Sequence, residues 1–204
     1  MEKTMRVIGV TGGVGAGKSM VLEFLKKEHK AKLFCADEIG RELMKPDGAC
    51  FAPVVRAFGE AVVKADGELD RGEIAKIVFG DEEALGRLNG IIHPAVRREI
   101  ETGLEELKEE ELAVIESAIL LEAGYEDICE EIWYVYAKEE TRINRLMESR
   151  GYSRERCLEV MKSQMGEEEL RRRATAVIEN DGDKEAVREQ IQALLKTGSE
   201  EEKR

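Results

Sequence analysis

The apolar positions of this chain follow two rhythms. Short, nearly unbroken apolar runs occur around Val7–Val10, Leu33–Ala36, Leu112–Ile115, Ile132–Tyr136 and Ala176–Ile178. Runs of this length, bounded by turn residues, predict buried strands near 6–10, 32–36, 112–116, 132–136 and 176–179. Between them the apolar residues recur at helical spacing. Met20–Lys27 predicts a helix opening at Gly17 or Lys18, and Ile39, Leu43 and Met44 place a second over 37–45. Further helical patterns cover Phe51–Phe58, Arg71–Val78, Asp81–Ile92 and Pro94–Leu107. Glu139–Arg150 and Ser153–Gln164 form a basic pair around Gly151, and Lys184–Lys196 closes the series. Pro46-Asp47-Gly48, Asp66–Asp70, the acidic Glu109-Glu110-Glu111 and Asn180-Asp181-Gly182 read as turns. Thr197–Arg204 reads as a polar, frayed end.

Strands alternating with helices predict an α/β fold with a roughly five-stranded, doubly wound parallel sheet. The helical stretch between the second and third strands is too long for a simple crossover. It predicts an inserted substrate subdomain at about 46–108. The core then comprises about 1–45, 109–138 and 173–196, and the helices at about 139–172 are placed as a lid. A chain of 204 residues suits one such domain with its attachments.

The first strand leads into Gly12-Gly13-Val14-Gly15-Ala16-Gly17-Lys18-Ser19, a complete G-x-x-x-x-G-K-[ST] loop followed by a helix. In that context the glycines let successive backbone N–H groups turn toward one anion at the positive end of the helix. Lys18 is placed to reach the β and γ phosphates of a nucleoside triphosphate, and the Ser19 hydroxyl to join a Mg²⁺ shell. A nucleoside triphosphate with Mg²⁺ is therefore expected, and the loop alone does not separate a kinase from a GTPase or an ATP-driven switch. No guanine-reading N-K-x-D is present.

Composition narrows the setting. Hydrophobic residues make up 42% and charged residues 37%, with three prolines, the profile of a helix-rich α/β protein. The formal charge of −12 implies no basic surface for nucleic acid. Cys35, Cys50, Cys129 and Cys157 form no C-x-x-C and lie far in sequence from His29 and His93, so a zinc site is not expected. Isolated thiols, no apolar stretch of membrane-spanning length and only Met1–Met5 before the first strand point to a cytoplasmic protein without signal peptide or membrane contact. The oligomeric state stays open, as a monomer or weak homo-oligomer.

Asp37 is read as standing at the end of the strand beside the phosphate-loop strand. A carboxylate there can take the proton of an attacking hydroxyl and help hold Mg²⁺, or it can simply cap a helix. Spacing alone leaves both readings open.

Several segments together resemble the dephospho-coenzyme A kinase family. Val10-Thr11-Gly12 through Ser19 followed by Ala36-Asp37 resembles that family's opening. Ile91-Ile92-His93-Pro94 is similar to its apolar-apolar-His-Pro, and Ile119-Leu120-Leu121-Glu122 to its Pro-Leu-Leu-x-Glu. Glu140–Met147 resembles its lid helix, and Ala174–Gly182 its last strand and turn. The resemblance runs over roughly residues 6 to 195. It implies a P-loop kinase that moves the ATP γ-phosphoryl group to the ribose 3′-hydroxyl of dephospho-CoA, the last step of CoA synthesis. Asp37 is then the expected base and Mg²⁺ ligand, and Arg145 the lid cation that balances charge, with Arg142 and Arg150 as second choices. Gly13–Ser19 and Asn180 are expected to hold ATP, with Asn180 and Gly182 near the adenine. His93 and Glu122 are expected on the acceptor side.

Four departures stand out. Cys35 replaces the family's usual first Asp, which thins the expected Mg²⁺ shell. Met20 replaces a second hydroxyl after the loop, Ala118 a proline, and Arg150 is shifted by one place. Glu116, ending the third strand, is a weaker metal candidate, while Trp133 and Tyr136 read as core and sheet-edge aromatics. Two rival readings remain: a kinase of another small hydroxyl acceptor, such as a nucleoside or nucleotide, and a non-catalytic nucleotide-binding regulator.

Overall fold

The computed structural model describes residues 5–107 and 112–201, with side chains as far as Thr197; the expected turn at Glu109–Glu111 lies outside them. Five strands form one parallel sheet: β1 Arg6–Thr11, β2 Lys32–Cys35, β3 Leu112–Glu116, β4 Glu131–Tyr136 and β5 Ala176–Glu179. Their order is β2-β3-β1-β4-β5. Register pairs Val10 with Glu116 on one side of β1 and with Trp133 on the other. β2 is therefore not beside the phosphate-loop strand, as the sequence reading has it: β3 lies between them. The carboxyl end of β1 sits where the connections diverge to the two halves of the sheet, the place where open α/β sheets bind ligands.

Two compact units are present. The first comprises residues up to Phe34 together with those from β3 onward, and the second is Cys35–Leu107. In the first, α1 (Lys18–His29) buries Val21 and Leu25, and the last helix buries Val187 and Ile191, each pair one helical turn apart. They pack with Ile8, Val10, Val114, Trp133 and Ile178 in one cluster. Each fully buried aliphatic side chain there contributes about 1.5–3 kcal/mol. Arg6 fastens the rear of the sheet. Its Nε donates to Glu131 at 2.7 Å and its Nη1 to the Leu195 carbonyl at 3.0 Å, while the Trp133 indole N–H donates to Glu131 at 2.9 Å.

The second unit holds α2 (Ala36–Leu43), α3 (Phe51–Phe58), α4 (Arg71–Val78) and α5 (Glu82–Glu105). It includes α2, which the sequence pattern groups with the first β–loop–α elements. Its core is Val54, Val62, Leu69 and Ile74. A Cβ at the buried Gly40 would stand 3.5 Å from Ile92 and Val96, so α2 and α5 pack closely there. α5 is one helix and not the two expected on either side of His93. Pro94 is tolerated inside it because the carbonyl that loses its partner belongs to Gly90, and both residues are exposed to water.

The remaining helices are α6 (Glu139–Arg150), α7 (Arg154–Lys162), α8 (Glu167–Arg173) and α9 (Lys184–Glu201). α8 has no counterpart in the sequence reading, its seven residues being too few for a helical period to emerge. α9 runs on through a tail expected to fray, with Thr197 hydroxyl bonds to the Ala193 and Leu194 carbonyls. None of the four cysteines is in a disulfide. Burial, reinforced by Asp127, Glu126 and Glu130, pushes the Cys129 thiol up to about 12. Among the described residues no helix is long and apolar enough to cross a membrane.

Candidate active site

The loop after β1 is built from its glycines and held by distant residues. Gly17 is the N-cap of α1 with φ 89°, a left-handed conformation that a side chain disfavours, and a Cβ there would run into the Asn180 amide. No side chain caps α1, and its first turn carries no acidic residue. Lys26, Lys27 and His29 complement the dipole at the far end. The helix start thus offers its amides and positive potential to an anion. Ser19, exposed in this first turn, has no hydrogen-bond partner for its hydroxyl among the described residues.

The back of the loop is tied down through its carbonyls. Arg145 Nη1 donates to the Ala16 carbonyl at 3.2 Å and more weakly to that of Gly15, and its Nη2 donates to the Asn180 carbonyl at 2.8 Å. Asn180 is buried, its backbone N–H bonded to the Tyr136 carbonyl and its side-chain amide donating to the Ala16 carbonyl at 2.7 Å. These bonds fix the loop through its peptide oxygens; of its N–H groups, that of Ala16 is bonded to the Gly13 carbonyl at 3.1 Å.

The tip of the loop is held by the helical segment expected as a lid. Val14 N–H donates to Gln164 Oε1 at 2.9 Å, and the Val14 carbonyl accepts from Arg142 Nε at 2.9 Å. Arg142 Nη2 also donates to Gln164 at 3.2 Å, so both main-chain groups of Val14 are engaged by one side-chain pair. The guanidinium lies against Gly13, where a Cβ would collide with it. Burial pulls the Arg142 guanidinium below its ordinary value, with Tyr134, Glu139 and Glu167 acting in the opposite direction. Apolar contact completes the joint, Val14 packing on Ile143, Leu146 and Cys157. Arg150 takes no part; its guanidinium stands over the Tyr152 ring at 5.9 Å.

Lys18 Nζ donates to the Gly12 carbonyl at 2.9 Å and lies 3.5 Å from Glu116 Oε1, both side chains being 14% exposed. Glu116 thus stands closer to the chemistry than its weak sequence signal suggests. Its only mark in the sequence is a carboxylate closing a buried strand.

Asp37 occupies the second position of α2, whose N-cap is Cys35, so the cap reading does not hold. It is exposed and has no hydrogen-bond or ionic partner among the described residues, a carboxylate available to a substrate. His93 lies half-buried in α5, where burial lowers its pKa and favours the neutral ring. Glu122 is exposed beyond β3. The structure therefore gathers Lys18, Arg145, Asn180 and residues 13–19 in the first unit; Asp37 and His93 belong to the second. Sequence reasoning missed Gln164 entirely and ranked Arg142 second. Among the described residues no three His, Cys, Asp or Glu side chains cluster as a metal site. An ion here would draw most of its oxygen ligands from nucleotide phosphates and water, a pattern that suits Mg²⁺. The oxygens of Ser19 and Asp37 are of the right hard type.

Comparison with known proteins agrees with this architecture. The family model for dephospho-CoA kinase matches residues 6–186. The dephospho-CoA kinase of Carboxydothermus hydrogenoformans is 38% identical over 191 residues, covering 93% of this chain and 92% of that protein. The crystal structure of TT1252 from Thermus thermophilus superposes with a TM-score of 0.83 at 36% identity, covering 96% of this chain and 98% of that one. A dephospho-CoA kinase from Campylobacter jejuni shares the fold, with a TM-score of 0.69 at 23% identity over 96% of this chain and 98% of its own.

Proposed function

The chain belongs to the dephospho-CoA kinase family, and we propose that the residues around its phosphate loop, with Asp37, transfer the γ-phosphoryl group of ATP to the ribose 3′-hydroxyl of dephospho-CoA. The products are CoA and ADP, and the reaction is the last step of coenzyme A biosynthesis. The observation that carries the residue assignment is the loop itself. Its carbonyls are bound from behind by Arg145 and Asn180, while the uncapped start of α1 leaves amide donors for a triphosphate.

In this reading residues 13–19 hold the β and γ phosphates through the amides not already engaged within the protein, those of Val14 and Ala16 being bonded to Gln164 and to the Gly13 carbonyl. Lys18 contributes its charge to the same oxygens and keeps the Gly12 carbonyl as an anchor. Preorganised donors of this kind stabilise charge on the transferring group without reorganising during the reaction. Arg145 acts as a brace that fixes the loop and adds positive potential behind it, and Arg142 holds the tip. Asp37 takes the proton of the attacking 3′-hydroxyl, a role worth about 10²–10⁴ in rate. His93 and Glu122 serve acceptor binding, and Asn180 lies toward the adenine. Ser19 and Asp37 would hold Mg²⁺, with Glu116 a further carboxylate 3.5 Å from Lys18. When bound, the ion would neutralise negative charge on the triphosphate. The nucleotide substrates and the thiols outside any disulfide fit a cytoplasmic enzyme.

The test is ADP release from ATP with dephospho-CoA, nucleosides, nucleotides and shikimate offered in turn. Turnover is expected with dephospho-CoA; ADP release with a nucleoside or nucleotide and none with dephospho-CoA would overturn the assignment.

A further inference from the structure

The second unit contains a cavity of about 250 Å³ between the end of α2, the turn at residues 64–68 and the start of α4. Its walls are fixed by backbone bonds. Lys64 N–H donates to the Glu68 carbonyl at 2.8 Å, Gly67 N–H to the Lys64 carbonyl at 3.0 Å, and Val63 and Leu69 form an antiparallel bridge. Lys45, Lys64 and Arg71 bring three cations to it; Glu68 and Asp70 bring two carboxylates.

The charges are not equally available. Asp70 caps α4, accepting from the Glu73 N–H at 3.0 Å. Lys45 shares an exposed ion pair with Glu42. Among the described residues the Arg71 guanidinium donates to the Arg41 carbonyl at 3.4 Å and pairs with no carboxylate, and the Lys64 ammonium has no side-chain partner. In a chain of net charge −12, a hollow with two cations lacking carboxylate partners is suited to a doubly charged anion. Its floor is apolar, with Leu69 buried and Met44 partly so.

The cavity also lies at a useful distance along one helix. Asp37 is in the first turn of α2, and Met44, its C-cap, lines the cavity. Seven residues at 1.5 Å each separate them by about 10 Å along the axis. Dephospho-CoA carries its diphosphate on the 5′ carbon of the ribose whose 3′-hydroxyl reacts, and a branched alkyl arm follows the diphosphate. Long Lys and Arg side chains cover the span between the two points.

We propose that this cavity is the binding site for the acceptor's diphosphate, with Lys64 and Arg71 as its ligands and Met44 and Leu69 beneath the adjoining alkyl arm. The inference rests on dephospho-CoA being the acceptor. It assigns acceptor specificity to recognition of a diphosphate ester beside the reacting ribose, which separates the acceptor from free nucleosides.

The experiment titrates the full chain with dephospho-CoA, and separately with adenosine, by calorimetry. Lys64→Gln and Arg71→Gln should each weaken dephospho-CoA binding about tenfold, and Glu68→Gln should tighten it about threefold. Adenosine, which lacks the diphosphate, should bind all four proteins alike. Opposite signs from neighbouring positions are an electrostatic signature that a packing role would not give. Dephospho-CoA affinity within twofold of wild type in both cation variants, while the wild-type protein still phosphorylates it, would overturn the site and leave the function standing. Equal losses for adenosine would also overturn it, by tracing the effect to the subdomain fold. A wild-type protein that does not phosphorylate dephospho-CoA would remove the function and the site together.

Discussion

The ammonium of Lys18 stands 3.5 Å from a carboxylate oxygen of Glu116, and neither side chain has much access to water. The pairing of Val10 with Glu116 across β1 and β3 brings that carboxylate to the base of the phosphate loop. Removing the lysine takes a close cation away from a poorly hydrated carboxylate. Lys18→Ala should therefore lose ATP binding and also about 1–2 kcal/mol of stability in urea unfolding. Adding Glu116→Gln should recover most of the stability and none of the ATP binding. Purely additive stability losses in the double variant would show that the two groups are not coupled.

Asp37 offers a cleaner separation of chemistry from binding, because it is exposed and makes no intramolecular bond that a substitution would break. Asp37→Asn is expected to lower phosphorylation of dephospho-CoA by about 10²–10⁴, with ATP affinity within twofold of wild type and an unchanged unfolding midpoint. Residual activity above a tenth of wild type in a coupled ADP assay would rule out Asp37 as the base.

The Arg142–Gln164 pair makes a prediction about motion. Both main-chain groups of Val14 depend on it, so Gln164→Ala should loosen the loop tip and α6 together. Amide exchange over residues 12–16 and 139–150 should accelerate in step, and the KM for ATP should rise about fivefold, equivalent to about 1 kcal/mol. Faster exchange in α6 alone would mean that loop and lid helix are independently held.

His93 sets an acid limit on stability. Burial lowers its folded-state pKa below the ordinary 6.5. At pH above 6.5 the ring is neutral whether folded or not, and contributes no pH dependence. As the pH falls below 6.5 the unfolded chain takes up the proton first, so stability is lost until the folded pKa is passed. Urea midpoints measured from pH 7.5 to 5 should fall less steeply in His93→Gln than in wild type. Parallel slopes would refute the contribution.

Much of this was legible in the residues themselves. The phosphate loop is eight consecutive positions that can be recognised without the distant residues that hold it, and the strands are short apolar runs set off by turns. Pairing order was not legible, because an apolar run does not say which neighbour it takes; β3 slips between β2 and β1. Pro94 reads as a helix break in one dimension, and only the solvent exposure of Gly90 explains why α5 continues. Gln164 lies 150 positions from Val14 and carries no motif. Glu116 is one of 44 acidic residues until the sheet places it beside Lys18.

The position of β1 also bears on how the protein is made. Its two neighbours in the sheet, β3 and β4, are both synthesised long after it, as are Arg145 and Asn180, which hold the loop's carbonyls. On the ribosome the nucleotide motif emerges well before the residues that set its shape, and it waits for Arg145, β5 and Asn180 to follow it out. Competence to bind ATP therefore arrives only once Asn180 has been made, and a nascent chain cut short of it carries the motif without the site.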